Sequence, residues 1–241
     1  KANRERDKPK FPKRFYKSVS LEESSEGFCI LLDDKAVKTP GKNPLKLPTK
    51  AAAELIAAEW DAIADEINPM WMPVTRLANT AIDGVAQEIQ AVMEDIIRYA
   101  GSDLLCYRAE TPQGLVDNQH KNWDPVLDWA GKEIGAYFEI ASGIMHLSQP
   151  KDAIAAFSGR LKNHGDPFCL ASFHVCTSLT GSAIIALAVV EKHLTAEQAW
   201  IAAHVDEDWN ISQWGEDYEA AKRRRSEERR VGKECRSRWS P

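Results

Sequence analysis

Between Pro167 and Val190 the chain runs PFCLASFHVCTSLTGSAIIALAVV, 24 residues without a charged side chain. As one helix this stretch would extend about 36 Å at ~1.5 Å per residue, long enough to cross a bilayer. Its first two thirds, however, carry Ser172, His174, Thr177, Ser178, Thr180 and Ser182, each of which would need a partner in lipid. The stretch therefore predicts a buried central helix rather than a membrane span. His174, Thr177, Ser178, Gly181 and Ser182 follow the i, i+3, i+4, i+7, i+8 spacing and form one narrow polar stripe. Phe173, Cys176, Leu179 and the run Ala183 to Val190 fill the other sides. A helix so apolar is stable only when amphipathic neighbours wrap it, so the rest of the chain must supply them.

Residues 15 to 47 alternate with period two between turn signals and predict short antiparallel strands, with lysines and prolines protecting the edges. At Thr49, an N-cap candidate, the period becomes helical. Leu55, Ile56, Trp60, Ile63 and Ile67 form an apolar stripe that predicts a helix to Asn68-Pro69 with Trp60 on its buried side. The following PMWMP segment, 69 to 73, either packs on the core or offers an exposed contact surface, and packing is the expectation. Helices are predicted from Val74 to Asp83 and along the Val85, Ile89, Val92, Ile96, Ala100 stripe. A further one opens at Thr111-Pro112, with Trp123 on its apolar side, is bent or restarted at Asp124-Pro125, and carries Trp129 onward to Ile134. Asp103 to Arg108 is ambiguous, and Tyr137 to Ile140 reads as a strand or a linker. Another helix runs from Ser148 to His164-Gly165. Thr195 with Gln198 forms a capping box for a last long helix to Trp214-Gly215, with a short continuation to Ala221.

The fold class expected is α+β: a small antiparallel β-rich N-terminal domain, then a larger all-helical domain with a central buried helix. The expected boundaries are a basic flexible arm at 1–14, a β-rich domain at 15–48, a helical domain at 85–221 and a tail at 222–241. The β-rich domain extends to about 84 if it includes helices 49–67 and 74–83.

The formal net charge of −5 conceals an asymmetry. Residues 222–241 hold nine Lys or Arg and three Glu, leaving 22 basic against 33 acidic residues before them, a net −11. Such a body argues against a general nucleic-acid binder and suits a basic or Arg-bearing protein surface. The tail has no apolar periodicity and reads as unstructured or expression-derived. Lys1 to Arg14 contain no apolar core of a signal peptide, so none is expected in this chain. Five scattered cysteines without a CxxC predict neither a disulfide framework nor a zinc site, and fit a reducing compartment.

Phosphate-loop, dinucleotide, zinc-protease, serine-esterase and EF-hand motifs are absent, which weakens support for those chemistries. Cys169, His174 and Cys176 lie five and seven residues apart and do not share a helix face, so they read as buried small side chains and one hydrogen-bonded histidine. His204, Glu207 and Asp208, at i, i+3, i+4, could offer three metal ligands, which makes a small metal- or acid-base-dependent hydrolase the alternative function. On a helical wheel Trp200, His204, Glu207 and Ile211 share a face. Asp206, Glu207 and Asp208 with Trp209 and Trp214 thus have two readings. They are an acidic helix face with its tryptophans in the core, or an interface whose Trp anchors are buried by a partner while the acids receive its Arg or Lys.

Four segments then carry a resemblance: EWD at 59–61, LANTAIDG at 77–84, CYRAETPQGLVDNQHKNWDPVLDWA at 106–130 and DEDWNISQWGEDYEA at 206–220. They resemble the assembly chaperones of the F-type ATP synthase catalytic head, over about Phe15 to Ala221, and the 106–130 block is the most specific. The resemblance implies a β-rich domain followed by a helical one, and an ATP-independent chaperone. It would bind the free alpha subunit, prevent its aggregation and hand it to beta. It implies no catalysis, no cofactor and no metal, a protein that is monomeric when free, and a cytoplasmic location in bacteria with the mitochondrial matrix as the eukaryotic counterpart. It also makes Glu207 the counterpart of a functionally important acid, with Asp206 or Asp208 as alternatives. Trp60 matches a position the family depends on through folding.

Overall fold

Alternating residues build the first hairpin: β1 (Val19–Ser24) pairs antiparallel with β2 (Gly27–Leu32), from Val19 opposite Leu32 to Ser24 opposite Gly27. Strand β3 (Lys35–Ala36) returns along β2 through Asp33 and Asp34, whose φ values of 47° and 64° give the left-handed turn that strand twist favours. Asp33 also accepts hydrogen bonds from the Lys17 and Ser18 amides and the Ser18 hydroxyl, which ties the turn to the start of β1. Strand β4 (Lys46–Leu47) pairs with the other end of β2. The computed structural model describes residues 11–143, 147–216 and 224. The ten N-terminal residues of the predicted arm, the continuation past Glu216 and the tail apart from Arg224 lie outside these.

Helix α1 (Lys50–Asp61) starts as predicted, with Thr49 accepting from the Ala52 amide. It ends six residues before Ile67. The Arg14 guanidinium donates to the Asp61 and Ile63 carbonyls, and residues 62–67 turn to meet the N-terminal segment, with Lys13 bridged to Glu66 and Ile67 N donating to Pro12 O. The buried side of α1 is also rotated from the predicted stripe. It consists of Ala52, Ala53, Ile56 and Glu59, while Leu55 is exposed and Trp60 is half-buried. Burial of an acid is made tolerable by its position. Glu59 accepts from the Val74 and Thr75 amides and the Thr75 hydroxyl, at the N-terminus of α2 (Pro73–Asp83), where unpaired N–H groups favour a carboxylate. Between the two helices Pro69–Trp71 form a 3-10 turn. Contrary to the packing expected of PMWMP, Met70 and Trp71 are 70% and 69% exposed, and only Met72 and Pro73 are buried.

Contacts divide the chain between Asp83 and Gly84. The second unit contains α3 (Ile89–Ala100), ended at Gly101, and α4 (Gln113–Ile134), ended by left-handed Gly135. Pro125 lies inside α4, which continues through it, and Thr111 precedes the helix without capping it. Then come α5 (Lys151–Leu161), α6 (Pro167–Thr180), α7 (Ala183–Val190), α8 (Ala196–Ala203) and α9 (Val205–Trp214). Tyr107–Arg108 (β5) pairs in parallel with Ala141–Ser142 (β6), a two-residue addition to the helical plan, and Tyr137 to Ile140 is a linker.

The uncharged stretch is two helices rather than one. Gly181 adopts φ +67° at the end of α6, and Ser182 accepts from the Ile185 amide as the N-cap of α7. The residues read as the end of a polar stripe are thus a C-terminal glycine and an N-cap. Asp103, fully buried, inserts at this break and accepts from the Leu105 and Ile184 amides. Of the expected stripe, Thr177 and Ser182 are buried, Ser178 is exposed, and His174 is bonded to Asp95 at 2.8 Å. Around α7 the core gathers Leu105, Trp123, Val126, Ala130, Ile184, Ile185, Ala188, Ala199, Ala202 and Val205. The α+β class and the buried centre therefore agree with the sequence. Among the described residues no helix is long and apolar enough to cross a membrane.

Candidate functional site

Thr195 and Gln198 form the predicted capping box of α8, but the helix breaks at His204, whose φ of −114° and ψ of 18° separate α8 from α9. The imidazole is held at the break. Its ring lies 3.8 Å from that of Trp200, its Nδ1 is 2.8 Å from the Trp200 carbonyl, and both side chains are 8% exposed. Asp206, Glu207 and Asp208 occupy the first turn of α9, where the helix dipole favours negative charge.

These three acids have three different environments. Asp206 Oδ1 accepts from Gln119 Nε2 at 2.7 Å, and buried Gln119 takes the Ala109 amide on its Oε1, so this acid fastens α9 to α4. Asp208 pairs with Arg224 at 2.5 Å. Glu207, 33% exposed, has the His204 Nε2 at 3.8 Å, a longer approach than a hydrogen bond. With His204 bonded to the Trp200 carbonyl and Asp208 paired with Arg224, His204, Glu207 and Asp208 do not converge as metal ligands. No group of three or more His, Cys, Asp or Glu side chains could hold a metal ion among the described residues.

The tryptophans divide in the same way. Trp209 is half-buried, with its ring so close to Gly114 that a Cβ there would come within 2.5 Å of Cη2. Gly114 is therefore what lets α4 and α9 approach. Trp214, at the end of α9, is 87% exposed. Trp123 is fully buried and donates Nε1–H to the Ala202 carbonyl at 2.7 Å, while Trp129 is half-buried and stacked on His193. Trp60 departs from the buried position expected of it, with its ring edge-on to Tyr16 and its carbonyl accepting the Tyr16 hydroxyl. Cys169 and Cys176 are buried apart from His174's ion pair with Asp95. Burial pushes the Cys106 thiol up to about 12, which keeps it protonated and inert.

Sequence reasoning missed Glu59, Asp83 and Gln119. Asp83, the acid of LANTAIDG, takes hydrogen bonds from the Thr39 hydroxyl, the Gly41 amide and the Asn43 amide group, which hold its carboxyl below the usual range. No spacing rule announces such acids, because their donors lie well beyond a helical turn, 15 and 16 residues away for Glu59 and 40 to 44 for Asp83. The segments carrying the resemblance were the available signal.

The comparisons follow the same lines. The profile of the ATP12 chaperone protein family matches residues 13–131. Among solved structures, Atp12 from Paracoccus denitrificans is 38% identical with a TM-score of 0.86, covering 93% of this chain and 96% of that one. An aspartate-to-lysine mutant of the same protein matches with 37% identity, a TM-score of 0.86 and coverage of 93% and 95%. The Atu1473 protein of Agrobacterium tumefaciens is 52% identical with a TM-score of 0.88, covering 94% of this chain and 86% of that one. Identity at this level over nearly the whole length, in both the hairpin unit and the helical unit, places this chain in the ATP12 family of ATP synthase assembly chaperones.

Proposed function

We propose that this chain binds the free ATP synthase alpha subunit, covers the apolar surface meant for beta, and releases alpha when beta competes for it. The reading rests on family membership and on one feature of α9, namely that Glu207 and Trp214 are left available where Asp206 and Trp209 are spent on packing against α4. An exposed indole two turns along the helix from a carboxylate that accepts no hydrogen bond among the described residues suits a partner with an apolar pocket and an Arg or Lys at its rim. Glu207 is the key acid on this account, because Asp206 and Asp208 are held by Gln119 and Arg224 at 2.7 and 2.5 Å, whereas its own neighbour His204 stays at 3.8 Å. The chain acts as a monomer in the bacterial cytoplasm, without catalysis, cofactor or nucleic acid.

An isolated subunit with an uncovered interface aggregates, so binding must be firm enough to prevent this. It must also be weak enough for beta to displace, which implies an interface of about 1,200–2,000 Å² with few anchors. Glu207→Lys is expected to abolish capture of purified alpha subunit while circular dichroism stays that of the parent. Equal capture by the parent and a folded variant would remove Glu207 from the site.

A further inference from the structure

The hairpin unit contains a cavity of about 350 Å³ that packing leaves open beside its aromatic residues. Phe15, 73% exposed, stands edge-on to Tyr16 at 5.4 Å, and Tyr16 in turn meets Trp60 at 5.7 Å, so three rings form one wall. Val37 and Leu32, both buried, also line it. The size suits one apolar or aromatic side chain.

Its polar lining is mainly basic. Lys35 and Lys38 border the cavity, both are exposed, and neither has an ion-pair partner among the described residues. The one carboxylate in the lining, Asp33, is already committed to the Lys17 and Ser18 amides and the Ser18 hydroxyl. Within a body of net −11, this is a locally basic apolar hollow. Trp60 contributes to this lining while its Nε1 is buried, without a hydrogen-bond partner.

We infer that this cavity is a second client site, taking an apolar side chain of the alpha subunit whose neighbouring residue carries a carboxylate for Lys35 and Lys38. The identity of the client rests on the function proposed above, but the chemistry of the occupant does not. The chain's own tail has the wrong sign to fill the cavity, with nine basic residues against three acidic. A peptide acid beside the lysines supplies the ion-pair partner that they lack.

Two measurements on the full chain test this. In the first, N-acetylated, C-amidated Phe-Asp is titrated while the Trp60 indole N–H signal, assigned by its loss in Trp60→Phe, is followed by NMR. Saturable movement of that signal and of the Lys35–Lys38 amides is expected, and is lost with Phe-Lys peptide or in Lys35→Glu/Lys38→Glu. In the second, that charge-reversed variant captures alpha about five- to tenfold more weakly than the parent. Lys42→Glu/Lys50→Glu, two exposed lysines of the same unit outside the cavity, leaves capture unchanged. Peptide that moves no signal saturably, or undiminished capture by Lys35→Glu/Lys38→Glu, overturns the inference and leaves the α9 site standing. If the peptide binds as expected but the parent captures no alpha subunit, the cavity's chemistry is upheld and it is the client that is wrong.

Discussion

Helix α7 buries Ala183 through Ala188 without interruption, whereas α9 buries only Val205 and ends in the exposed Trp214. Both belong to one core, because Ile184, Ile185 and Ala188 of the first and Val205 of the second all join the cluster around Trp123. Their polar groups are treated differently. The amides at the start of α7 are satisfied inside the protein by Ser182 and Asp103. Those of α9 open a turn of three acids at the surface, two of them held by neighbours. A helix apolar on every side has nothing left to offer a partner, and its sequence is spent on stability. The second helix needs only one face for packing, which leaves Glu207 and Trp214 for binding.

The sharpest way to break this contrast is at the side chain the two helices share. Trp123→Ala leaves a cavity against both and deprives the Ala202 carbonyl of its donor, and should cost about 3–5 kcal/mol in chemical denaturation. A much smaller loss would mean that the core is less tightly filled than the burial of Trp123 implies.

Asp103 distinguishes α7 by pH. Burial pushes its carboxyl up to about 6 in spite of the amides it accepts, whereas in the unfolded chain it titrates near ~3.9. The folded state therefore binds the proton more firmly. The resulting stability is full below the unfolded value and is lost as pH rises through about 6. Asp103→Asn removes the charge, so its melting temperature should gain on the parent's between pH 4 and pH 7. Glu191 has the opposite sign, because Arg160 and His164 hold its carboxyl down and its contribution is lost as pH falls. It is common to parent and variant and cancels in the difference. A difference that stays flat with pH would show Asp103 ionised throughout.

A smaller effect is expected at the junction of α6 and α7. Gly181→Ala places a side chain at φ +67°, where the added Cβ meets only Leu104 Cβ, at 3.9 Å. The cost is then conformational, about 1–2 kcal/mol, and an unchanged melting temperature would mean that the junction can rearrange. Smallest of all is the effect of Glu207→Lys on stability, within about 1 kcal/mol, since it alters one acid of a helix N-terminus. A large loss of stability would mean that Glu207 is structural and has been assigned to the wrong side of the contrast.

Much of the fold was legible because local signals and burial agreed. Thr49, Thr195 with Gln198, and Gly165 mark helix ends where the sequence put them. The failures share a cause, which is that distant donors and acceptors overrode periodicity. Arg14 ends α1 early by taking carbonyls 47 and 49 residues away, and Asp103 makes a break at Ser182 more favourable than a continuous helix. Trp60 and Glu59 exchanged roles because a wheel drawn from hydrophobicity cannot foresee that Glu59 will cap α2. In the candidate site the composition of α9 was readable. The division of its acids was not, because it depends on Gln119, 87 residues from Asp206.

The account's central claim is that this chain shields alpha without ATP and gives way to beta. The most direct test is light scattering of freshly diluted alpha subunit, alone and with an equal amount of this protein, in the absence of nucleotide, followed by addition of beta. The account predicts suppressed scattering, then transfer of alpha into alpha–beta complexes with the chaperone set free. Scattering that rises equally with and without the folded protein would contradict it.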